Sequence, residues 1–221
     1  MLIHPWDAAL DDAEWQEWLA SHEHFGILAV NNLDPAQPPV VVPTHFSVAG
    51  GELLIHLARP NPVWPHMEVA ALVNVTTIGD YAYIPSYWRA KAGGPDEDGV
   101  PTSYYSAVQF TCRPRIVDDP AGKVEILAAQ LAEFQPEGGH APLAVDTPPY
   151  GRMLTAIRGA HLEVLSVGAK FKYDDANPVD HRERVITNLQ QRDRGLDAAA
   201  AAQQRRRLAT IGDWRARKDQ L

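Results

Sequence analysis

Apolar positions along the chain follow two rhythms. Near the start, Asp11 and Asp12 precede Trp15, Trp18 and Leu19 at i, i+3, i+4 spacing, which predicts a short amphipathic helix ending near His22 to His24. From Phe25 the rhythm changes to short runs rich in Val, Ile, Thr and aromatics: FGILAV, PPVVVPTHF, ELLIHLA and ALVNVTTI, each bounded by Gly, Pro, Asn or Asp. These read as strands. The turn residues in Asn31 to Pro39 and in Ala49-Gly50-Gly51 predict that the first three form an antiparallel meander.

Further on, Arg59 to Glu68 carries Pro60, Pro62 and Pro65, the signature of a loop entering a very short helix. Ala82 to Ile84 reads as a brief strand, and Arg89 to Val100, with Gly93, Gly94 and the acids Asp96, Glu97 and Asp98, as a solvated loop. Thr102 to Val117 is the longest β-like stretch. Asp118-Asp119-Pro120 then caps a helix with Val124, Leu127, Ala128 and Leu131 on one face, and Gly138 to Pro149 is a proline-bearing loop. Tyr150 to Ile157 reads as helix, Ala160 to Val167 as strand, and Val179 to Leu189 as helix again. The alanine-rich close of the chain has high helix propensity. Strands come early and together, which points to a mainly β fold with α: a small antiparallel barrel with flanking helices.

Composition narrows this picture. The 221 residues are 45% hydrophobic and 22% charged, enough to bury a real core. A net charge of −8 excludes a wholly basic nucleic-acid surface, yet it hides an asymmetry. Residues 1–191 carry 12 basic and 24 acidic side chains, whereas residues 192–221 carry 8 and 4. The expected organisation is therefore a barrel domain with its N-terminal helix over 1–194 and a basic, alanine-rich helix or tail over 195–221. In that tail Arg205, Arg206, Arg207, Arg215, Arg217 and Lys218 are the candidate DNA contacts; the alternative is an ordinary solvated helix. The single Cys112 forbids an internal disulfide and reads as a buried small residue, compatible with a reducing compartment. With no apolar run near the ~20 residues of a membrane span and no signal-peptide pattern, the expectation is a soluble cytoplasmic protein.

The candidate chemistry begins with what is missing. There is no G-x-x-x-x-G-K-[ST], no G-x-G-x-x-G, no G-x-S-x-G and no H-E-x-x-H, so an NTPase, a Rossmann dehydrogenase, a hydrolase and a metal centre are all unsupported despite nine histidines. His56-Leu57-Ala58-Arg59-Pro60-Asn61-Pro62-Val63-Trp64 instead leaves a strand and enters a helix start. It gathers a guanidinium, a side-chain amide and helix N–H groups suited to an oxyanion; the bland reading pairs Arg59 with a surface acid. Tyr81, Tyr83, Tyr87 and Trp88, with Tyr104 and Tyr105, read either as packing or as a wall for a flat ring.

The ordered blocks HLARPNPVW, AYIPSYWRAK, VPTSYYSAV, YGRMLTAI and KFK…RVITNL resemble the PaiB-type FMN-binding negative transcriptional regulators over Phe25 to Leu189. The resemblance implies the FMN-binding split β-barrel shared with pyridoxamine-phosphate oxidases and flavin reductases, a homodimer, and FMN sites at the subunit interface. It implies phosphate donors at Arg59 and Asn61 within the block holding His56, Ala58 and Trp64. Pro43, Thr44, His45 and Phe46 would run along the ring and ribityl chain, while Ser86, Trp88, Lys91 and Lys170 match further family blocks. This chain departs from the pattern at Ser103-Tyr104 and at Tyr173-Asp174-Asp175, where two carboxylates threaten an anionic cofactor unless they point away. Three functions stay open at this point: a flavin-linked transcriptional regulator, an FMN-dependent oxidoreductase passing electrons from NAD(P)H to a small acceptor, and a haem or deazaflavin binder.

Overall fold

The computed structural model describes residues 1–91, 93–212 and 214. Its helices and strands are, in chain order, α1 (Asp12–Ala20), β1 (Phe25–Val30), β2 (Val40–His45), β3 (Ser47–Ala49), β4 (Glu52–Ala58), α2 (Trp64–Val69), β5 (Val73–Ile84) and α3 (Ser86–Arg89). They continue as β6 (Thr102–Val117), α4 (Pro120–Phe134), α5 (Tyr150–Met153), β7 (Ile157–Lys172), α6 (Val179–Arg192) and α7 (Asp197–Ile211). One seven-stranded sheet has the order β2-β1-β5-β6-β7-β4-β3. The fold is the antiparallel split β-barrel with flanking helices.

The expected meander of the first three strands is only half right. β1 and β2 pair antiparallel, with Ile27 opposite Pro43. β4, however, pairs with the short β3 and with β7, at the other end of the strand order. The Gly50-Gly51 turn makes the β3–β4 hairpin, since both glycines have positive φ (58° and 84°), as the two-residue type I′ hairpin turn requires. Register and non-local pairing, which the local pattern does not encode, send the third run away from the first two.

Two compact units are interleaved in sequence. The first comprises residues 1–22, 78–108 and 168–221; the second comprises 23–77 and 109–167. β5 shows how one strand serves both. Val73, Val75 and Thr77 are buried in its first half, and Asp80, Ala82 and Ile84 in its second, so the inward parity changes across Ile78-Gly79. The two sequence runs ALVNVTTI and Ala82 to Ile84 are thus one strand; its period-2 pattern breaks where the supporting core changes.

In the first unit Trp18, Tyr104, Phe171 and Tyr173 are buried, together with Val185 and Leu189 of α6 and Ala200 and Ala201 of α7. Gly79 is required there. A Cβ on it would stand 2.6 Å from both Ser106 Oγ and the Trp18 ring. In the second unit the core includes Leu28, Val30, Phe46, Ile55, Trp64, Phe110, Ile126 and Leu162. Each such large apolar side chain contributes about 1.5–3 kcal/mol on burial. Cys112 is buried here, as expected, and burial pushes its thiol up to about 12. Among the described residues, no helix is long and apolar enough to cross a membrane.

Candidate functional site

The strand-to-helix block forms the site's centre, in the second unit. β4 ends at Ala58, and the chain turns there because Asn61 N and Trp64 Nε1 both donate to the Ala58 carbonyl, at 3.0 and 2.9 Å. Asn61 Oδ1 accepts from Val63 N at 3.0 Å, a side-chain turn that leaves the amide nitrogen without a hydrogen bond among the described residues. Trp64 is buried and pins the turn. Arg59 is 46% exposed; its Nε donates to Thr155 O at 2.9 Å and its Nη2 to Ile157 O at 3.4 Å and to Asp118 at 3.2 Å. Nη1 of Arg59 makes no hydrogen bond among the described residues.

Three residues complete this cluster that sequence reading did not assign to it. Arg158, on β7, forks onto Asp118 (Nη2 to Oδ2, 2.6 Å), reaches Glu68 at 2.7 Å and lies 5.0 Å over the Trp64 ring. Lys123, on α4, is buried and donates to Leu154 O and Ile157 O. Burial and then the neighbouring Arg59 charge hold its ammonium below its usual range. Asp118 looks in sequence like part of a helix cap, but the cap is Asp119, whose carboxylate accepts from Gly122 N at 2.8 Å. Hydrogen bonding from Arg158 holds the Asp118 carboxyl below the ordinary carboxylate range. The doublet Asp118-Asp119 signals a cap without saying which member makes it, and nothing in the sequence brings Arg158 beside Arg59.

The ring-facing candidates divide. β2 is an edge strand, so one row of backbone groups along Pro43, Thr44 and His45 has no strand neighbour among the described residues. The Phe46 side chain is buried. The His45 ring stands edge-on to His56 at 5.3 Å and to Phe134 at 5.4 Å. His56 is turned toward α4, with Nδ1 at 2.6 Å from Gln130 Oε1; because Gln130 Nε2 donates to Leu54 O, its oxygen accepts and Nδ1 carries the proton. Burial lowers the His56 pKa, so the ring stays neutral.

Ser86, Trp88, Lys91 and Lys170 lie in the first unit. Trp88 is covered by the Arg192 guanidinium at 4.5 Å. Lys91 lines a cavity of about 790 Å³ with Arg89, Asp98, Asp180, His181 and Arg184. Lys170 is buried, donates to Leu2 O at 2.8 Å and lies 5.6 Å over Tyr105, so its charge is spent on holding the N-terminal segment.

The carboxylates that threatened an anionic cofactor are neutralised inside that unit. Asp174 accepts from Arg89 Nε and Nη2 and lies 3.3 Å from His181. Burial pushes its carboxyl up, but His181 and Arg89 outweigh that and leave it below its usual range. Asp175 is buried between Arg182 and Arg207. Tyr104, at the other departure, packs against Tyr173 with centroids 5.7 Å apart.

The C-terminal basic cluster is corrected by the same geometry. Arg207 is fully buried, paired with Asp175 and Glu14 and bonded to the Trp6 and Ala8 carbonyls; Arg206 pairs with Glu14 over the Phe171 ring. Arg207 is thereby shut off from solvent, whereas Arg206 remains 36% exposed. α7 buries Ala200, Ala201 and Gln204 on one face, and its other face carries the exposed Arg205. Arg215, Arg217 and Lys218 lie outside the described residues. Tyr81, Tyr83 and Tyr87 are only half covered by the chain, being 51%, 51% and 56% exposed, with the Tyr87 ring edge-on to Trp88 at 6.2 Å. Among the described residues no cluster of three or more His, Cys, Asp or Glu is arranged for a metal.

The family described as "Putative FMN-binding domain" matches residues 1–166. No curated protein matches the chain. Among solved structures, the FAD and heme binding protein from Mycobacterium smegmatis is 16% identical, with a TM-score of 0.59 over 80% of this chain and 78% of that one. A flavocytochrome from Azotobacter vinelandii is 15% identical, with a TM-score of 0.57 over 76% and 70% of the two chains. At such identities the likeness is one of fold. The profile match covers most of the sheet and the whole Arg59 cluster, and on it the chain belongs to the FMN-binding domain family of PaiB type.

Proposed function

We propose that the protein binds FMN, with the phosphate held by Arg59 and Asn61 and the ring laid along the edge strand at Pro43 to Phe46. The observation that carries this reading is the donor set at the end of β4. A half-exposed guanidinium with a spare Nη1 and an amide with a spare Nδ2 stand two residues apart on a turn fixed by Trp64. That set fits a phosphate, which takes charge-assisted bonds from a guanidinium fork. The competing Arg59–Asp118 contact, between two half-exposed groups, is worth at most about 1 kcal/mol and is exchangeable. FMN supplies electron-transfer chemistry when bound; the chain supplies the anchor, the backbone edge and the neutral His56 behind it.

The working unit in this reading is a homodimer. Tyr81 and Tyr83 on one side of β5, with Tyr87 just beyond, leave an aromatic surface in water that a second copy would cover. The cellular role that fits the family is a flavin-linked regulator. With Arg206 and Arg207 committed to internal ion pairs, regulation through a protein partner is better supported than direct DNA contact by α7.

The test is the visible spectrum of the purified protein with an FMN titration. Flavin bands and a phosphate-dependent affinity are expected, with FMN bound about 10–100-fold more weakly after Arg59→Ala, the loss of a charge-assisted contact. Unchanged affinity in that variant would overturn the phosphate placement, and a Soret band in place of flavin bands would overturn FMN. Bleaching by NADPH followed by reoxidation would mark an oxidoreductase instead of a passive flavin binder.

A further inference from the structure

We infer that Asp118 is an internal anion standing on Arg59 in the phosphate's place, which makes FMN an exchangeable ligand of this protein instead of a permanently held group. The inference rests on the phosphate placement proposed above. Asp118 Oδ1 lies 3.2 Å from Arg59 Nη2 and accepts from Arg158 Nε at 2.9 Å, while Oδ2 accepts from Arg158 Nη2 at 2.6 Å. Arg158 is well shielded, stacked over Trp64 and bonded also to Glu68, so it fixes where the carboxylate stands. Arg59 is the looser partner. An arriving phosphate takes the spare Nη1 of Arg59 and displaces Asp118 from Nη2 without dismantling the Arg158 pair, and then faces a fixed negative charge beside it. Asp118 stays ionised at neutral pH because Arg158 hydrogen-bonds to it. At pH 7.5 the phosphate of FMN is close to a dianion, its second pKa being about 6, so the repulsion is nearly doubled relative to a monoanion.

The uncharged end of the flavin is indifferent to this arrangement, and that gives the test. Affinities of FMN and riboflavin are measured by flavin fluorescence at pH 7.5 for the unaltered protein, Asp118→Asn, Asp118→Ala and Glu68→Gln, with FMN release followed by stopped flow. Both Asp118 variants are expected to bind FMN roughly three- to tenfold more tightly and release it correspondingly more slowly, the range a half-exposed charge contact commands. Riboflavin affinity is expected to stay within about twofold, which also reports an intact ring site in each variant. Glu68→Gln removes an equal charge from the other side of Arg158 and is expected to leave the FMN affinity within about twofold. FMN affinity that is unchanged or weaker in both Asp118 variants, or riboflavin tightening as much as FMN, overturns the inference while leaving the Arg59 anchor intact. FMN binding no better than riboflavin in the unaltered protein brings down the phosphate placement, and this inference with it.

Discussion

The two compact units use arginine in opposite ways. In the first, Arg182 and Arg207 are fully buried against Asp175, and Arg207 also reaches Glu14, which ties α7 to the start of the chain. In the second, Arg59 and Asp118 are each nearly half exposed and meet at 3.2 Å. A buried charge that loses its partner is left without solvation, so the first network is committed to structure. An exposed pair costs little to part, so the second is free to take a ligand. The difference teaches that in this chain the number of basic residues says little about anion binding; their burial decides it.

The sharpest way to break that contrast is Arg207→Ala, which leaves the buried Asp175 with Arg182 alone and Glu14 with Arg206 alone. We expect a loss of about 3–5 kcal/mol in urea unfolding. A result below 1 kcal/mol would show the network to be solvated after all. Next comes Tyr173→Phe. Tyr173 donates to both oxygens of the buried Asp80 carboxylate, at 2.5 and 2.6 Å, and Ser106 also donates to it. Burial holds the Tyr173 hydroxyl far above its usual range, so it remains a donor at any working pH. Its removal is expected to cost about 1–3 kcal/mol in the same assay.

A pH measurement separates the units differently. The folded-state pKa of His56 lies below the unfolded value of about 6.5, so the unfolded chain takes up the proton first. Its contribution to stability is intact above about pH 6.5 and is lost as the pH falls below it, down to the folded-state pKa, at no more than about 1.4 kcal/mol per pH unit. His56→Gln should flatten the denaturation profile between pH 7 and 5; an unchanged slope would exclude His56 as its source. Arg59→Ala is expected to change stability by under about 1 kcal/mol, in contrast to the large loss of FMN affinity expected of it. The smallest effect belongs to Arg113→Ala, whose pair with Glu163 is exposed on both sides: about 0.5 kcal/mol or less by thermal unfolding.

Much of the fold was legible. Thr102 to Val117 appears at its sequence-derived bounds because sixteen residues of β-rich composition lie between clear turn signals. The chain from Asp12 to Ala20 forms a helix because Asp11 caps it, accepting from Glu14 N. The candidate anchor was legible in part, since Arg59, Asn61 and Trp64 are neighbours in sequence and the turn that joins them is local. Asp118, Lys123 and Arg158 were not, because they lie 54 or more positions beyond that turn. The inward direction of Arg207 was not legible for a related reason. Alanine and arginine together look like a solvated basic helix, and only the acids at Glu14 and Asp175 reveal that Arg207 faces inward.

The sequence by itself determined most of the strand and helix runs, the β3–β4 turn at Gly50-Gly51, and the local donor block proposed for an oxyanion, since each depends on spacing and backbone preference within a few residues. Tertiary structure alone decided where β4 lies in the sheet, which aromatics stay in water and which arginines are free to bind. Those depend on partners brought together from far along the chain, and the energy of a charge is set by how much water that assembly leaves around it.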